Sequence, residues 1–305
     1  MGGVKPMKQA AAKRVKDSLG DRIFRFVVAV LVVMLALTCI LPLINILAIS
    51  FSSARAVNSN EVVFLPIEFN TDAYASMFRS GSVVRAMKNS IVATVLYVAL
   101  TMVCTVLCAY PLSHGDLVGR RPIWLFILFT MYFSGGMIPS YLLINEMGLL
   151  NSVWALVLPG AISTYNMILM RTFFAALPLS LKEAAYIDGA NDLDILWRVV
   201  LPLSKAMLAT IALFYAVSRW NAVQDGMLYI SDPKKNILQV TLKNILISSE
   251  SLNEIMNEGA SAGMVVQTQQ MRSATLIFSL TPVIVIYPFL QKYFVKGVMI
   301  GAVKG

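Results

Sequence analysis

Six stretches of this chain, at about residues 24 to 51, 85 to 112, 122 to 144, 152 to 175, 203 to 222 and 274 to 294, are predominantly apolar over roughly twenty residues or more. A helix of about twenty residues, rising 1.5 Å each, matches a hydrocarbon core about 30 Å thick. The 305 residues are 58% hydrophobic and 13% charged, against about 45–50% and about 25% in an average soluble domain. A soluble fold cannot cover that much apolar surface. The expected class is an all-α membrane protein with six transmembrane helices, because only helices or closed barrels satisfy their backbone polar groups in lipid.

The formal charge of +9 invites a nucleic-acid reading, but its distribution points elsewhere. Seven of the 25 basic residues, Lys5, Lys8, Lys13, Arg14, Lys16, Arg22 and Arg25, precede the first apolar stretch. With that basic tail (1–25) placed inside, the inner segments hold sixteen of the 25, which is the bias the positive-inside rule requires. Both termini are then cytoplasmic. Phe26 to Phe51 is too long for a signal peptide and has no obvious cleavage site, so it reads as a membrane span.

The remaining segments divide the chain. The first helix and an outer loop occupy 26–84, a core of five helices 85–294, and a cytoplasmic tail 295–305. Within the core, a cytoplasmic loop spans 176–202 and a long outer loop 223–273; outer loops of this length imply a partner. The inner loop reads as two short helices. Ser180 and Glu183 have capping-box spacing, Gly189 permits a turn, Asn191 or Asp192 can cap a second helix, and Pro202 ends it or opens the fifth span.

Residue chemistry excludes several functions. Cys39, Cys104 and Cys108 lie in apolar stretches, where a thiol behaves as a small hydrophobe. His114 is the one histidine, expected as a solvated loop residue, so a His-rich metal site is excluded. No glycine is followed by lysine, so the phosphate-cradling GxxxxGK[ST] loop is missing. No Ser-His-Asp set or paired carboxylates support an enzyme, and no cofactor is indicated.

The inner loop reads Glu183-Ala184-Ala185-Tyr186-Ile187-Asp188-Gly189-Ala190, then Val199-Val200-Leu201-Pro202. It resembles the EAA loop of binding-protein-dependent ABC importer permeases, with Val199 where that family usually has isoleucine. The resemblance runs along the chain, through Asn89-Ser90, Gly135-Gly136-Met137-Ile138-Pro139 and Arg219-Trp220-Asn221. The endings Tyr287-Pro288-Phe289-Leu290-Gln291-Lys292 and Lys296-Gly297-Val298-Met299-Ile300-Gly301 are similar to the carbohydrate-uptake branch, whose members handle oligosaccharides derived from polysaccharides, uronate-containing ones included.

The resemblance implies a type I ABC importer permease in the bacterial cytoplasmic membrane. Its partners would be a second related permease, two ATPase subunits that bind ATP and Mg, and an extracytoplasmic sugar-binding protein. It implies that Glu183, Ala184, Ala185, Asp188, Gly189, Ala190, Leu201 and Pro202 couple this chain to the ATPase. Glu183 is then a charge partner for an ATPase arginine, or a capping-box carboxylate, or both. Gly189 serves a turn with positive φ or a close backbone approach. Ala184 and Ala185 are small for packing or simply favour helix.

Tyr132, Asn145, Tyr165, Asn166, Trp220 and Asn221 are candidates to line a sugar path, since aromatic faces and amides suit sugar rings and hydroxyls. Interfacial anchoring, common to Trp and Tyr in any membrane protein, is the preferred reading of each. Gly135-Gly136 with Pro139 can break the third span, and Pro111, Pro159, Pro282 and Pro288 can kink others; short of an unwound segment they read as helix packing features. An ABC permease for another polar solute is the alternative; an ion-coupled secondary transporter has few carriers, since the spans hold almost no carboxylates. Purified alone, the chain is expected to hydrolyse no ATP. Turnover by the lone polypeptide in a phosphate-release assay would contradict the missing nucleotide site.

Overall fold

The computed structural model describes residues 19–256 and 269–288, all of whose regular elements are helices. The first, α1 (Leu19–Ser50), is 32 residues long and buries none of its apolar window within the chain. Two short helices follow, α2 (Ala54–Asn58) and α3 (Asp72–Ser80). The segment is built rather than slack. Ser53 caps α2, Phe51 stacks between Phe69 and Tyr74, and Arg55 pairs with Glu68.

The organising helix is α4 (Ser82–Ser113). Its buried residues include Ala86, Ser90, Ala93, Tyr97, Thr101, Thr105 and Ala109, a stripe repeating every three or four positions. Small side chains on that stripe let neighbouring backbones approach closely. Around it pack α3, α7 (Val153–Val157), α8 (Thr164–Ala175), α11 (Lys205–Trp220) and α13 (Leu238–Met256). Polar groups join them: Thr105 Oγ1 lies 2.6 Å from the Tyr215 hydroxyl, and Ser90 Oγ accepts from the Leu238 amide at 2.8 Å. The final helix, α14, covers Gln269–Pro288, and Gln270 Nε2 donates to the Ser52 carbonyl at 2.6 Å.

Three expected spans differ in form. The stretch 122 to 144 is α5 (Arg120–Tyr132) and α6 (Met137–Glu146), bent by 109° across an unwound segment. The glycine pair thus breaks the span rather than serving as packing alone, and Gly136 holds φ +88° with ψ 178°, backbone essentially reserved for glycine. The stretch 152 to 175 is likewise two pieces, α7 and α8. The fifth is preceded by α10 (Asp192–Leu203), which meets α11 at an 83° bend. The outer stretch 223–273 includes α12 (Gln224–Tyr229) and α13. Among the described residues, three helices suffice to cross a bilayer alone, and five spans result if each bent pair counts once. Residues 289 to 294 of the sixth expected span lie outside the described residues.

The bend into α11 has a local cause. Pro202 lacks an amide, and its ring would crowd the Arg198 carbonyl in a regular α-turn. The chain widens into a π turn over Leu196–Val200, with the Leu201 amide donating to Leu196 five residues back. Buried Ser204 sits at the corner, its hydroxyl donating to the Val200 carbonyl at 2.6 Å.

Gly226 in α12 tests the packing of the outer helices against each other. A Cβ there would lie 2.7 Å from Val240 Cγ2 and 2.8 Å from Ile237 Cδ1. Gly226→Ala is expected to cost about 1–3 kcal/mol by overpacking. Thermal unfolding in detergent measures it; an unchanged midpoint would contradict this contact.

Candidate functional site

The 176–202 loop forms a compact pair of helices against the C-terminal end of α4. Its first helix, α9 (Leu179–Ile187), starts at Pro178, whose fixed φ suits a helix entry. The expected capping box is not formed. Ser180 lies inside the first turn, and no side chain caps this N-terminus.

At the other end the backbone closes in a Schellman motif. Gly189 has φ +80°, its amide donates to the Tyr186 carbonyl at 3.0 Å, and the Ala190 amide reaches the Ala185 carbonyl at 3.0 Å. Nothing lies within 4 Å of a Cβ built on Gly189, so within this chain the glycine serves the turn, not a close approach. The Asp188 amide donates to Ala184, and Asn191 caps α10 by accepting from the Asp194 amide at 2.9 Å.

The two faces of this pair differ. Ala185, Ala190 and Leu201 pack on the main apolar core around Tyr110, Phe174 and Leu196. Glu183, Ala184, Asp188, Gly189 and Pro202 are exposed. Ala185 is therefore small because its own chain packs on it, whereas Ala184 presents bare surface.

Four residues unmarked in the motif hold the pair in place. Lys182 is only 5% exposed, with Nζ 5.8 Å from the centre of the Tyr110 ring. Burial pushes its ammonium pKa down, and the nearby Asp116 carboxylate opposes that. The Tyr186 hydroxyl donates to Asp192, bridging the two helices across the Gly189 turn. Arg171 of α8 donates to the Leu112 carbonyl at 3.1 Å and lies over Trp124 at 5.1 Å, satisfying one of the last carbonyls of α4. The spacing of Lys182, Ala185 and Tyr186 by three and four was the available signal for a helix face turned inward.

His114 is not a solvated loop residue. It is half-buried, edge-on to Tyr110 at 4.7 Å, with Nδ1 3.0 Å from the Tyr110 carbonyl.

The path candidates separate into groups. Tyr132 ends α5 at 84% exposure, and exposed Tyr165 opens α8. The contact between Thr130 and Thr164 hydroxyls, 3.3 Å, brings those two helix ends together. Asn145 is exposed at the end of α6, and exposed Asn221 donates to the Val217 carbonyl at 2.9 Å. Asn166 is buried in the first turn of α8, and Trp220 is buried among Met77, Val83, Met87 and Leu238.

Beside Trp220, Arg219 carried no assigned role. Only 6% exposed, it donates through Nη1 to the Leu156 carbonyl at 2.7 Å and to Asp225 at 2.8 Å, and lies 5.7 Å from the Tyr97 ring. A guanidinium buried at the end of an apolar helix needs such partners. Its neighbours come from α4, α7 and α12, which no local pattern could announce.

Bent apolar helices around a packed stripe, with a stiff helical pair projecting from one end, define a multi-pass membrane transport subunit. Comparison with known proteins narrows the class. The chain is 41% identical over 285 residues to the polygalacturonan/rhamnogalacturonan transport system permease protein YtcP of Bacillus subtilis, covering 93% of this chain and 99% of the relative. It is 40% identical over 266 residues to Protein LplC of the same organism, covering 87% and 90%. A chain from the crystal structure of a bacterial ABC transporter involved in the import of the acidic polysaccharide alginate matches with TM-score 0.81 and 37% identity, covering 91% of this chain and 99% of that one. No protein-family model matches. The chain belongs to the permease subunits of ABC carbohydrate-transport systems.

The bridge across the turn has a measurable signature. Donation to Asp192, aided by partial burial and the Asp192 charge, pushes the Tyr186 hydroxyl up from 10 to about 12. The fold favours the neutral phenol, so this contribution is present below pH 10 and is lost as pH rises towards about 12. The alkaline titration of wild type minus Tyr186→Phe is expected to show one phenol ionising near 12. Ionisation at the ordinary value would mean the bridge is not made.

Proposed function

We propose that this chain is one permease half of an importer that moves an oligosaccharide, derived from a polysaccharide, across the bacterial cytoplasmic membrane by ATP-driven alternating access. It works with a second related permease, two ATPase subunits carrying ATP and Mg, and an extracytoplasmic sugar-binding protein. The chain crosses the membrane six times with both termini inside, through α1, α4, α5 with α6, α7 with α8, α11 and α14.

The observation that carries this reading is the two-faced loop from Glu183 to Pro202. One face is locked to α4 through Lys182, Ala185 and Ala190. The other leaves Glu183, Ala184 and Asp188 bare for a second protein. In this reading the pair docks on the ATPase and passes its nucleotide-driven movement to α4 and α11. The unburied apolar surface of α1 and of Phe126, Phe129 and Phe133 suits lipid and a second permease alike. Relatives named for polygalacturonan, rhamnogalacturonan and alginate favour an acidic oligosaccharide as the cargo. Tyr132 and Tyr165, exposed on neighbouring helix ends, are the best placed of the path candidates to stack on its rings.

Reconstitution with both permeases, the ATPase and the binding protein tests this. Uptake of a uronate oligosaccharide is expected to require ATP and to fall by at least about tenfold in Gly189→Trp, since misplacing a lever far from the cargo is enough to uncouple it. Full uptake by this mutant, or uptake without the ATPase, would overturn the reading.

A further inference from the structure

Between the coupling pair and the end of α4 lies a cavity of about 370 Å³, large enough for a long side chain. Its wall includes Tyr110, His114 and Asp116 on one side and Tyr186, Asp192 and Leu193 on the other. The first set belongs to the α4 end and the loop after it, the second to both arms of the coupling pair. A group entering here touches the lever and its bearing at once.

The polar atoms of this wall are mostly acceptors. Asp116 and Asp192 are exposed carboxylates, and Asp192 uses one oxygen for Tyr186. His114 Nδ1 faces a carbonyl, which can only accept, so in the neutral ring the proton sits there and Nε2 carries a lone pair. Nε2 is buried with no hydrogen-bond partner. The Tyr110 hydroxyl is also buried without a partner, in a side chain only 5% exposed. Unmet hydrogen-bonding capacity of this kind is unusual in a folded interior. Lys182 lies over the Tyr110 ring and forms no ion pair with Asp116 or Asp192. The rest of the wall is largely leucine and proline, suited to a methylene stem.

We infer that this cavity receives a lysine or arginine side chain of the ATPase subunit, its stem against Leu193 and its cationic head between Asp116 and Asp192. The inference rests on the coupling reading above, since it needs the ATPase to lie against the same loop. The cavity is walled in part by exposed Tyr186, Asp192 and Leu193 of the coupling pair itself, and its acceptors complement a cationic donor. Such a contact would latch the ATPase to α4 as well as to the lever, so that lever and span move together.

The test measures ATPase affinity for the detergent-purified permease pair as a function of salt. Variants are Asp116→Asn, Asp192→Asn, and Leu193→Trp, which keeps the carboxylates and fills the entrance. Co-purification of the second permease reports that each variant folds. Affinity about tenfold weaker in Asp116→Asn and Leu193→Trp, with a shallower salt dependence in Asp116→Asn, supports the inference. Wild-type affinity in all three, while Gly189→Trp abolishes binding, overturns the inference and leaves the coupling reading standing. No ATPase bound by the wild-type pair overturns both.

Discussion

Close approach of backbones along α4 is the constraint on which the rest of the bundle depends. Lipid tails are as apolar as leucine, so no hydrophobic force draws membrane helices together; contact and hydrogen bonds must do so. The stripe of alanine, serine and threonine on α4 admits α8 and α11 near enough for Thr105 to meet Tyr215. The Tyr215 hydroxyl also accepts from the Ser163 amide at 3.4 Å, so three helices converge on one phenol. Tyr97 adds its edge to the Tyr215 ring at 5.9 Å and its face to Arg219. The outer guanidinium and the central hydroxyl knot thus share one tyrosine.

Much of the helical layout was legible because hydropathy reports length, and length is what lipid selects. The span at 85 to 112 falls within α4, and that at 24 to 51 overruns the end of α1 by one residue. Breaks were less legible, because a run of apolar residues does not record whether its backbone is continuous. Gly135 and Gly136 marked where α5 could end, but hydropathy continued through Met137 and Ile138 and concealed a 109° turn. The outer helices α12 and α13 were missed for the opposite reason. Asp225, Asp232 and Glu250 made the segment look like loop, although Leu238, Val240 and Leu242 are buried.

In the inner loop, features set by neighbouring residues were readable: the Gly189 turn and the Asn191 cap follow from backbone needs of short helices. Ser180 was misread because the capping-box spacing is satisfied equally by residues inside a helix, and Pro178 had already started this one. Lys182, Tyr186 and Arg171 act through partners on other elements, Tyr110, Asp192 and Leu112. Such pairings depend on how elements fold back on one another, which spacing along the chain does not encode. The exposed half of the EAA motif has the converse character, since Glu183 and Ala184 have little to explain them within this polypeptide.

The corner at Ser204 gives the chain a change of direction. Because α10 meets α11 at 83°, travel along the first arm arrives nearly crosswise to the second. Ser204 is buried and bonded to Val200, and the π turn before it removes the crowding that Pro202 would cause, so the corner is braced rather than loose. A braced right angle works as a bell crank. A displacement along α10 is carried round the corner as a tilt of α11, the helix whose far end holds Arg219 and Trp220. One braced piece of main chain thereby links the helical pair around Gly189 to the buried Arg219 guanidinium, so neither end can shift without the other.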